Sequence, residues 1–238
     1  MVDALFGVPR LAAVYDALDP DRGDLEHYAA MVSEFGARQV LDVGCGTGEF
    51  ACLLAREGID VVGVDPAEAS LEVAKGKEFA DRVRWIHGDA TMLPPLQVDL
   101  AVMTGNVAQV FLTDEEWSAT LAGVRDALKP GGRFVFETRD PARRGWEEWT
   151  RGHTRQVTTV GDETVERWTD LVSVELPFVS FRGTYVFTSD GAVFTSDSTL
   201  RFRERGELEE SLVGFTVDDV REAPDRPGKE FVFVTTKR

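Results

Sequence analysis

Asp42, Gly44, Gly46 and Gly48 occupy alternate positions in the run Val40-Leu41-Asp42-Val43-Gly44-Cys45-Gly46-Thr47-Gly48, and chemistry is written most plainly there. Alternate glycines open a loop whose backbone N–H groups come close to a ligand, because a Cβ obstructs the special dihedrals or the approach. The acid just before the loop sets the charge of what lies there. Further acids recur downstream. Asp65 closes the stretch Ile59-Asp60-Val61-Val62-Gly63-Val64 and precedes Pro66, and Asp89 sits between Gly88 and Ala90. A carboxylate about twenty residues beyond a glycine loop accepts hydrogen bonds from ribose hydroxyls. An Asp at the later position can accept from an adenine amino group while neighbouring backbone N–H groups meet ring nitrogens.

Two cofactor classes fit a glycine loop followed by a ribose acid. A dinucleotide asks for G-x-G-x-x-G, whose third glycine lets the helix pack on the strand. Here the spacing is G-x-G-x-G, and Glu49 stands where the third glycine belongs. Two carboxylates beside a pyrophosphate repel it by ~1–4 kcal/mol per close pair near a surface. S-adenosylmethionine has no phosphate and carries an ammonium and a sulfonium, so acids suit it. Asp65 is compatible with both cofactors; Asp42 and Glu49 favour the sulfonium.

The elements that must position these residues follow from hydrophobic spacing. Gln39–Val43 reads as a buried strand, and Glu49–Arg56 as the helix after the loop. Further strands are expected at Ile59–Asp65, Val83–His87, Val98–Met103 and Arg133–Thr138, with a capped helix from Thr113 to Leu128 and a stop at Lys129-Pro130-Gly131-Gly132. From 154 to 203 the pattern switches to period two with turns at Gly161-Asp162 and Ser189-Asp190-Gly191, which predicts about four antiparallel strands. A helix over Glu204–Leu212 and strands over Thr216–Glu222 and Phe231–Thr236 follow. The expected fold is α/β: a doubly wound, seven-stranded, mostly parallel sheet with one antiparallel member and an antiparallel β insertion. The expected units are a helical leader at 1–37, a cofactor-binding core at 38–153, the insertion at 154–203, and a closing helix with two strands at 204–238.

The segments Leu41–Gly48, Gly63–Asp65, Gly88–Ala90, Asp99–Val102 and Leu128–Phe134, in this order over roughly residues 38–138, resemble the class I S-adenosylmethionine-dependent methyltransferases. The resemblance implies that Asp42 and the loop Gly44, Cys45, Gly46, Thr47 and Gly48 face the methionine part, that Asp65 with Pro66 meets the ribose, and that Gly88, Asp89 and Ala90 meet the adenine. It puts backbone near Thr104 and Asn106 beside the transferable methyl. In similar enzymes the leading segment folds over the cofactor, which makes Tyr15 a lid residue or else a packed aromatic. The insertion resembles the lid of small-molecule N-methyltransferases, including those acting on amino sugars, where such strands cover the cleft or join two subunits.

Acceptor chemistry is marked less firmly. Methyl transfer from a sulfonium is an in-line displacement, so orientation carries most of the effect, and a base is needed only for a protonated acceptor. Gln109, Arg139 and His153 are the catalytic candidates, near Glu137, Asp140, Trp146 and Trp149. Arg139 either clamps an anionic acceptor or pairs with Glu137 or Asp140. His153 is either a base or a surface histidine, and no spaced His/Cys set suggests a metal. Of the 238 residues 43% are hydrophobic, and the net charge of −16 repels nucleic acid and anionic lipid. No stretch approaches a membrane span and no signal pattern opens the chain, so a cytoplasmic protein is expected. The sequence favours a methyltransferase acting on a small molecule, nitrogen slightly ahead of oxygen, with the insertion as a candidate homodimer element. A methyltransferase acting on protein or nucleic acid is the first alternative. A non-catalytic S-adenosylmethionine-binding module and an NAD-dependent oxidoreductase are the others.

Overall fold

The computed structural model describes residues 2–238. Strands β1 (Gln39–Val43), β2 (Asp60–Asp65), β3 (Val83–His87), β4 (Val98–Met103), β5 (Leu128–Arg139), β10 (Phe215–Glu222) and β11 (Glu230–Lys237) form one sheet in the order β10-β11-β5-β4-β1-β2-β3. The first five run parallel, and β11 runs antiparallel to both β5 and β10. From β1 the chain winds outward to β2 and β3, then returns to lay β4 on β1's other side. Strand order therefore reverses between β1 and β4, and the carboxyl ends of the strands at such a reversal are where doubly wound sheets take ligands.

Strand alternation decides which residues face which helices. Val40, Leu100, Val102, Val135, Val232 and Val234 pack with α4 (Asp24–Glu34) and α5 (Glu49–Arg56). Leu41, Val43, Ala101, Met103, Phe134, Phe136 and Phe233 pack on the opposite face with α7 (Asp114–Ala127) and α9 (Arg205–Ser211). Between β2 and β3 lies α6 (Glu68–Lys75), with Leu71 and Ala74 buried. On the same rule Asp42, Glu137, Arg139 and Glu230 share the α4–α5 face with Val40, Val135 and Val232. One face of the sheet thus gathers the charged residues near its ligand-binding edge.

The fifth strand differs from expectation. Thr113 does cap α7, its hydroxyl accepting from Glu116 N at 3.1 Å while Glu116 reaches back to Thr113 N. The Lys-Pro-Gly-Gly segment, however, lies within β5. Val98 pairs with Leu128 and Leu100 with Arg133, so the extra residues bulge between two paired positions. Leu128 is wholly buried, and its burial draws the strand back beyond the turn.

A second, antiparallel sheet consists of β6 (Gln156–Val160), β7 (Glu163–Glu175), β8 (Phe178–Phe187) and β9 (Val193–Arg201), in that order. Val165, Tyr185 and Phe187 from this sheet pack on Leu11, Val14 and Leu18, which come from or flank the short helices α1 (Ala4–Gly7), α2 (Pro9–Ala12) and α3 (Tyr15–Leu18). Arg10 stacks 4.0 Å from the Phe187 ring and pairs with Glu163 and Asp190. Val179 packs with Trp146 and Phe202. Arg201 and Arg203 donate to the carbonyls of Leu112 and Thr113, tying the sheet's exit to the start of α7. The one-turn helix α8 (Arg151–Thr154) precedes β6.

Candidate active site at the carboxyl ends of β1 and β4

The glycine loop is held by contacts that differ from one glycine to the next. At Gly48 (φ 79°) a Cβ lies 2.6 Å from Trp85 Cη2 and 2.8 Å from Ala74 Cβ, so close packing demands glycine. At Gly46 (φ 52°) a Cβ meets nothing within 4 Å. Only backbone conformation requires glycine there, and the space beside it is open. Gly46 N donates to Asp65 Oδ2 at 2.8 Å and Ala67 N to Asp65 Oδ1 at 2.7 Å. Burial still pushes the Asp65 carboxyl up, against the pull of those two N–H groups.

Asp42 stands apart from every other acid at these strand ends. It is 1% exposed, and neither carboxylate oxygen has a hydrogen-bond partner. Burial, reinforced by the charge of Asp65, pushes it up to about 7. An unpaired buried carboxylate is costly to keep, and the ligand that relieves it brings positive N–H groups. The α-ammonium of S-adenosylmethionine fits that requirement; a pyrophosphate does not. Glu49 does not hold the free charge expected of it, because Lys77 pairs with both Glu49 and Asp16. Of the two acids that the sequence sets against a pyrophosphate, only Asp42 is left without a partner.

The helical leader reaches the loop directly. Thr47 Oγ1 donates to Asp16 Oδ1 at 2.5 Å, and Lys77 Nζ lies 2.6 Å from Asp16 Oδ2. Tyr15, the residue before, packs edge-on to Phe6 with ring centroids 5.4 Å apart, and burial raises its hydroxyl pKa. Cys45 is buried and its thiol is pushed well up by burial. Gly88 N donates to Asp65 O, and the exposed Pro66 offers its carbonyl to His87 Nε2 at 3.1 Å. Asp89 is exposed and accepts from Thr91 N at 2.8 Å, capping the turn that starts at the buried Ala90.

Beyond β4 a different set converges. The chain passes Thr104 and Gly105 and turns left-handed at Asn106 (φ 61°) into a 3₁₀ turn over Val107–Val110. Asn106 N donates to Glu137 Oε1 at 3.1 Å, and Tyr28 of α4 donates its hydroxyl to the other oxygen of Glu137. Asn106 Nδ2 donates to Glu230 Oε2 at 3.2 Å. Glu230 also takes Arg226 Nη1 at 2.8 Å and lies 3.7 Å from Arg139 Nε. Arg139 Nη1 donates to Gln109 Oε1 at 3.0 Å, with its guanidinium 5.8 Å from the Trp149 ring centroid. Burial raises both Glu137 and Tyr28 and lowers Arg139.

Arg139 thus pairs with neither residue suggested by its sequence neighbourhood. Asp140 caps Ala142 N and meets Arg143, while Glu137 is held by Tyr28 and Asn106. Antiparallel register is the reason: Arg139 on β5 lies opposite Glu230 on β11. Sequence reasoning missed Glu230, Tyr28 and Arg226. An acid heading the apolar run Phe231-Val232-Phe233-Val234 was the available signal for Glu230. His153 lies exposed on α8, with Nδ1 2.9 Å from Thr150 Oγ1, and makes no hydrogen bond to the cluster. A large open groove of about 690 Å³ lies at the other end of the sheet, beside Gln39, Asp60, Arg84 and Lys129. The unpaired buried side-chain atoms of Asp42, Asn106 and Gln109 lie with the carboxyl-end group and do not line this groove.

Residues 40–132 match the family profile described as a methyltransferase domain. A cypemycin N-terminal methyltransferase of Streptomyces sp. is 37% identical over 106 residues, covering 44% of this chain and 43% of that protein. The chain spans about half the length of most curated relatives it matches. The sugar N-methyltransferase KedS8 from Streptoalloteichus sp. ATCC 53650 superposes with a TM-score of 0.79 at 21% identity, over 94% of this chain and 93% of that one. CalS10, an amino pentose methyltransferase from Micromonospora echinaspora solved with S-adenosylmethionine bound, gives 0.75 at 22% identity, over 94% and 97%. At those identities the superpositions speak for the fold. The profile covers Asp42, the glycine loop, Asp65 and Asp89, so residues 40–132 carry a methyltransferase domain, set in a sheet order similar to that of the class I S-adenosylmethionine-dependent methyltransferases.

Proposed function

We propose that the protein transfers a methyl group from S-adenosylmethionine to a small-molecule acceptor, with nitrogen favoured over oxygen. One observation carries the cofactor side: the unpaired, buried Asp42 carboxylate beside an open glycine loop. When bound, the cofactor supplies an activated methyl on a sulfonium. Asp42 and the loop from Gly44 to Gly48 hold the methionine end. Asp65 with Pro66 takes the ribose; its oxygens keep lone pairs beyond the two backbone N–H groups they accept. Gly88, Asp89 and Ala90 border the adenine, Tyr15 closes over the loop from the leader, and Thr104 and Asn106 border the methyl. Position and exclusion of water are what the chain contributes to an in-line displacement, worth roughly 7–11 kcal/mol when orientation is good.

Nitrogen is favoured because the names of one relative and one structural neighbour specify an N-terminal and a sugar N acceptor. A net charge of −16 disfavours nucleic acid. The second sheet serves as the lid over the acceptor. Its β7–β8 hairpin exposes Val172, Val174, Leu176 and Phe178, which suits a homodimer contact. Two free, buried cysteines suit a reducing cytoplasm.

Thermal-shift and calorimetric titration with S-adenosylhomocysteine and with NAD test the cofactor. Stabilisation by the first alone is expected; stabilisation by NAD alone overturns the proposal. Mass spectrometry of a panel of amines, alcohols and short peptides incubated with S-adenosylmethionine then reads the acceptor. A gain of one methyl confined to peptides refutes the small-molecule assignment.

A further inference from the structure

Asn106 Oδ1 and Gln109 Nε2 are both buried and both without a partner, in residues only 4% and 1% exposed. Gln109 N donates to Asn106 O at 3.0 Å, so the two residues bracket a single turn of chain, and both side chains are held by the same Glu230–Arg139 pair. The Glu230–Arg139 pair behind them sorts their amides. Only an NH₂ group can donate to the Glu230 carboxylate, so Asn106 spends its nitrogen there and keeps its oxygen free. Only an oxygen can accept from the Arg139 guanidinium, so Gln109 spends its oxygen and keeps its NH₂ free. An uncharged acceptor and an uncharged donor are left without partners within the single turn of chain that follows β4.

We infer that Asn106 Oδ1 and Gln109 Nε2 select the methyl acceptor, and that they fit a neutral amine with a hydroxyl on the adjacent carbon. This rests on the methyltransferase reading above. The amine N–H donates to Asn106 Oδ1, and Gln109 Nε2 donates to the hydroxyl oxygen. Held through its N–H, the nitrogen keeps its lone pair for the methyl. The N–C bond forms as the C–S bond breaks, and the cationic amine then releases its proton to water. An anion is disfavoured, because it meets a carbonyl oxygen at Asn106 with Glu230 and Glu137 close behind. Arg139 already faces Glu230 and serves as a positioning residue rather than an anion clamp.

Saturation-transfer NMR on the full chain saturated with S-adenosylhomocysteine tests this, using trans-2-aminocyclohexanol, cyclohexylamine and cyclohexanecarboxylate as probes. At about pH 9.5 a primary amine is partly neutral. The amino alcohol is expected to bind about tenfold more tightly than cyclohexylamine, with no detectable binding of the carboxylate. Gln109→Glu keeps an oxygen for Arg139 but loses the donor, and Asn106→Gly keeps the left-handed turn but loses the side chain. Each should erase the preference for the amino alcohol, and for Gln109→Glu the S-adenosylhomocysteine affinity should change less than about threefold. Gln109→Met, a neutral variant of similar size, should give the same loss and thereby exclude added charge as its cause. Equal binding of the three probes, or an unchanged preference in the variants, overturns the assignment. Failure of S-adenosylhomocysteine to bind the unmodified protein defeats the methyltransferase reading instead.

Discussion

The glycine loop after β1 and the polar turn after β4 lie at neighbouring strand ends, yet they are assembled in opposite ways. The loop and Asp65 are within about twenty residues of one another, and the Asp65 carboxylate is held by backbone N–H groups, Gly46 N from the loop and Ala67 N beside it. The turn after β4 is held by Glu137, Arg139 and Glu230, and its side-chain bonds reach up to 124 residues along the chain. The comparison teaches that the glycine loop is a local, backbone-built device, whereas the polar turn is built from side chains that only folding brings together. On the functions proposed above, the first would hold the cofactor and the second would select the acceptor.

Substitution within the loop separates packing from ligand binding and gives the largest effect. Gly48→Val drives a side chain into Trp85 and Ala74 at a left-handed position. A stability loss of about 3 kcal/mol or more is expected, from overpacking plus backbone strain, read by urea unfolding. Gly46→Ala meets open space and should cost only ~1–2 kcal/mol of stability. Its S-adenosylhomocysteine affinity should nevertheless fall about tenfold or more in calorimetry. Unaltered affinity in that variant removes the loop from the cofactor site.

On the other side of the comparison, Glu230→Ala strips Arg139, Arg226 and Asn106 of a shared partner. The Arg226 and Arg139 side chains are 47% and 26% exposed, so water compensates in part. A loss of roughly 1–3 kcal/mol is expected in thermal unfolding, with cofactor affinity nearly unchanged. A collapse of cofactor affinity instead would show that the two halves are one device.

A change of pH sharpens the distinction without mutation. Asp42 is raised to about 7 from an ordinary 3.8, so between those values the folded protein holds a proton that the unfolded chain has lost. Its contribution to stability therefore falls as pH rises from about 4 to 7 and stays unfavourable above. A cofactor ammonium relieves that penalty, so S-adenosylhomocysteine should bind more tightly at pH 8 than at pH 5.5. Its thermal stabilisation should grow in the same direction, and Asp42→Asn should flatten the profile. The smallest effect is expected from Asp16→Ala, which frees Thr47 and Lys77 at a part-exposed site. About 0.5–1 kcal/mol should be lost in the calorimetric affinity for S-adenosylhomocysteine, and no change there would detach the leader from the loop.

Much of the fold was legible because its signals are local. Buried parallel strands read as apolar runs, Thr113 and Glu116 announced α7, and Gly161 and Gly191 marked hairpin turns. The bulge in β5 was not legible, since Pro130 and Gly131 read as a stop and only the burial of Leu128 against Val98 shows that pairing resumes. The neutralisation of Glu49 by Lys77 was hidden for the same reason, the two being 28 residues apart.

Residue order alone determined that a glycine bend follows a buried strand and that acids recur at the ends of the next strands, and its charge pattern favoured a nucleoside cofactor with positive charge over a dinucleotide. Each depends on spacing within one strand-turn-helix unit, where chain geometry leaves little choice. Tertiary structure decided that Asp42 stays unpaired, that Arg139 faces Glu230, and that Asn106 and Gln109 turn opposite ends of their amides free. Those outcomes depend on which strands lie side by side, because a hydrogen bond is set by the partner that the sheet brings within 3 Å or so, and no neighbour in the chain specifies it.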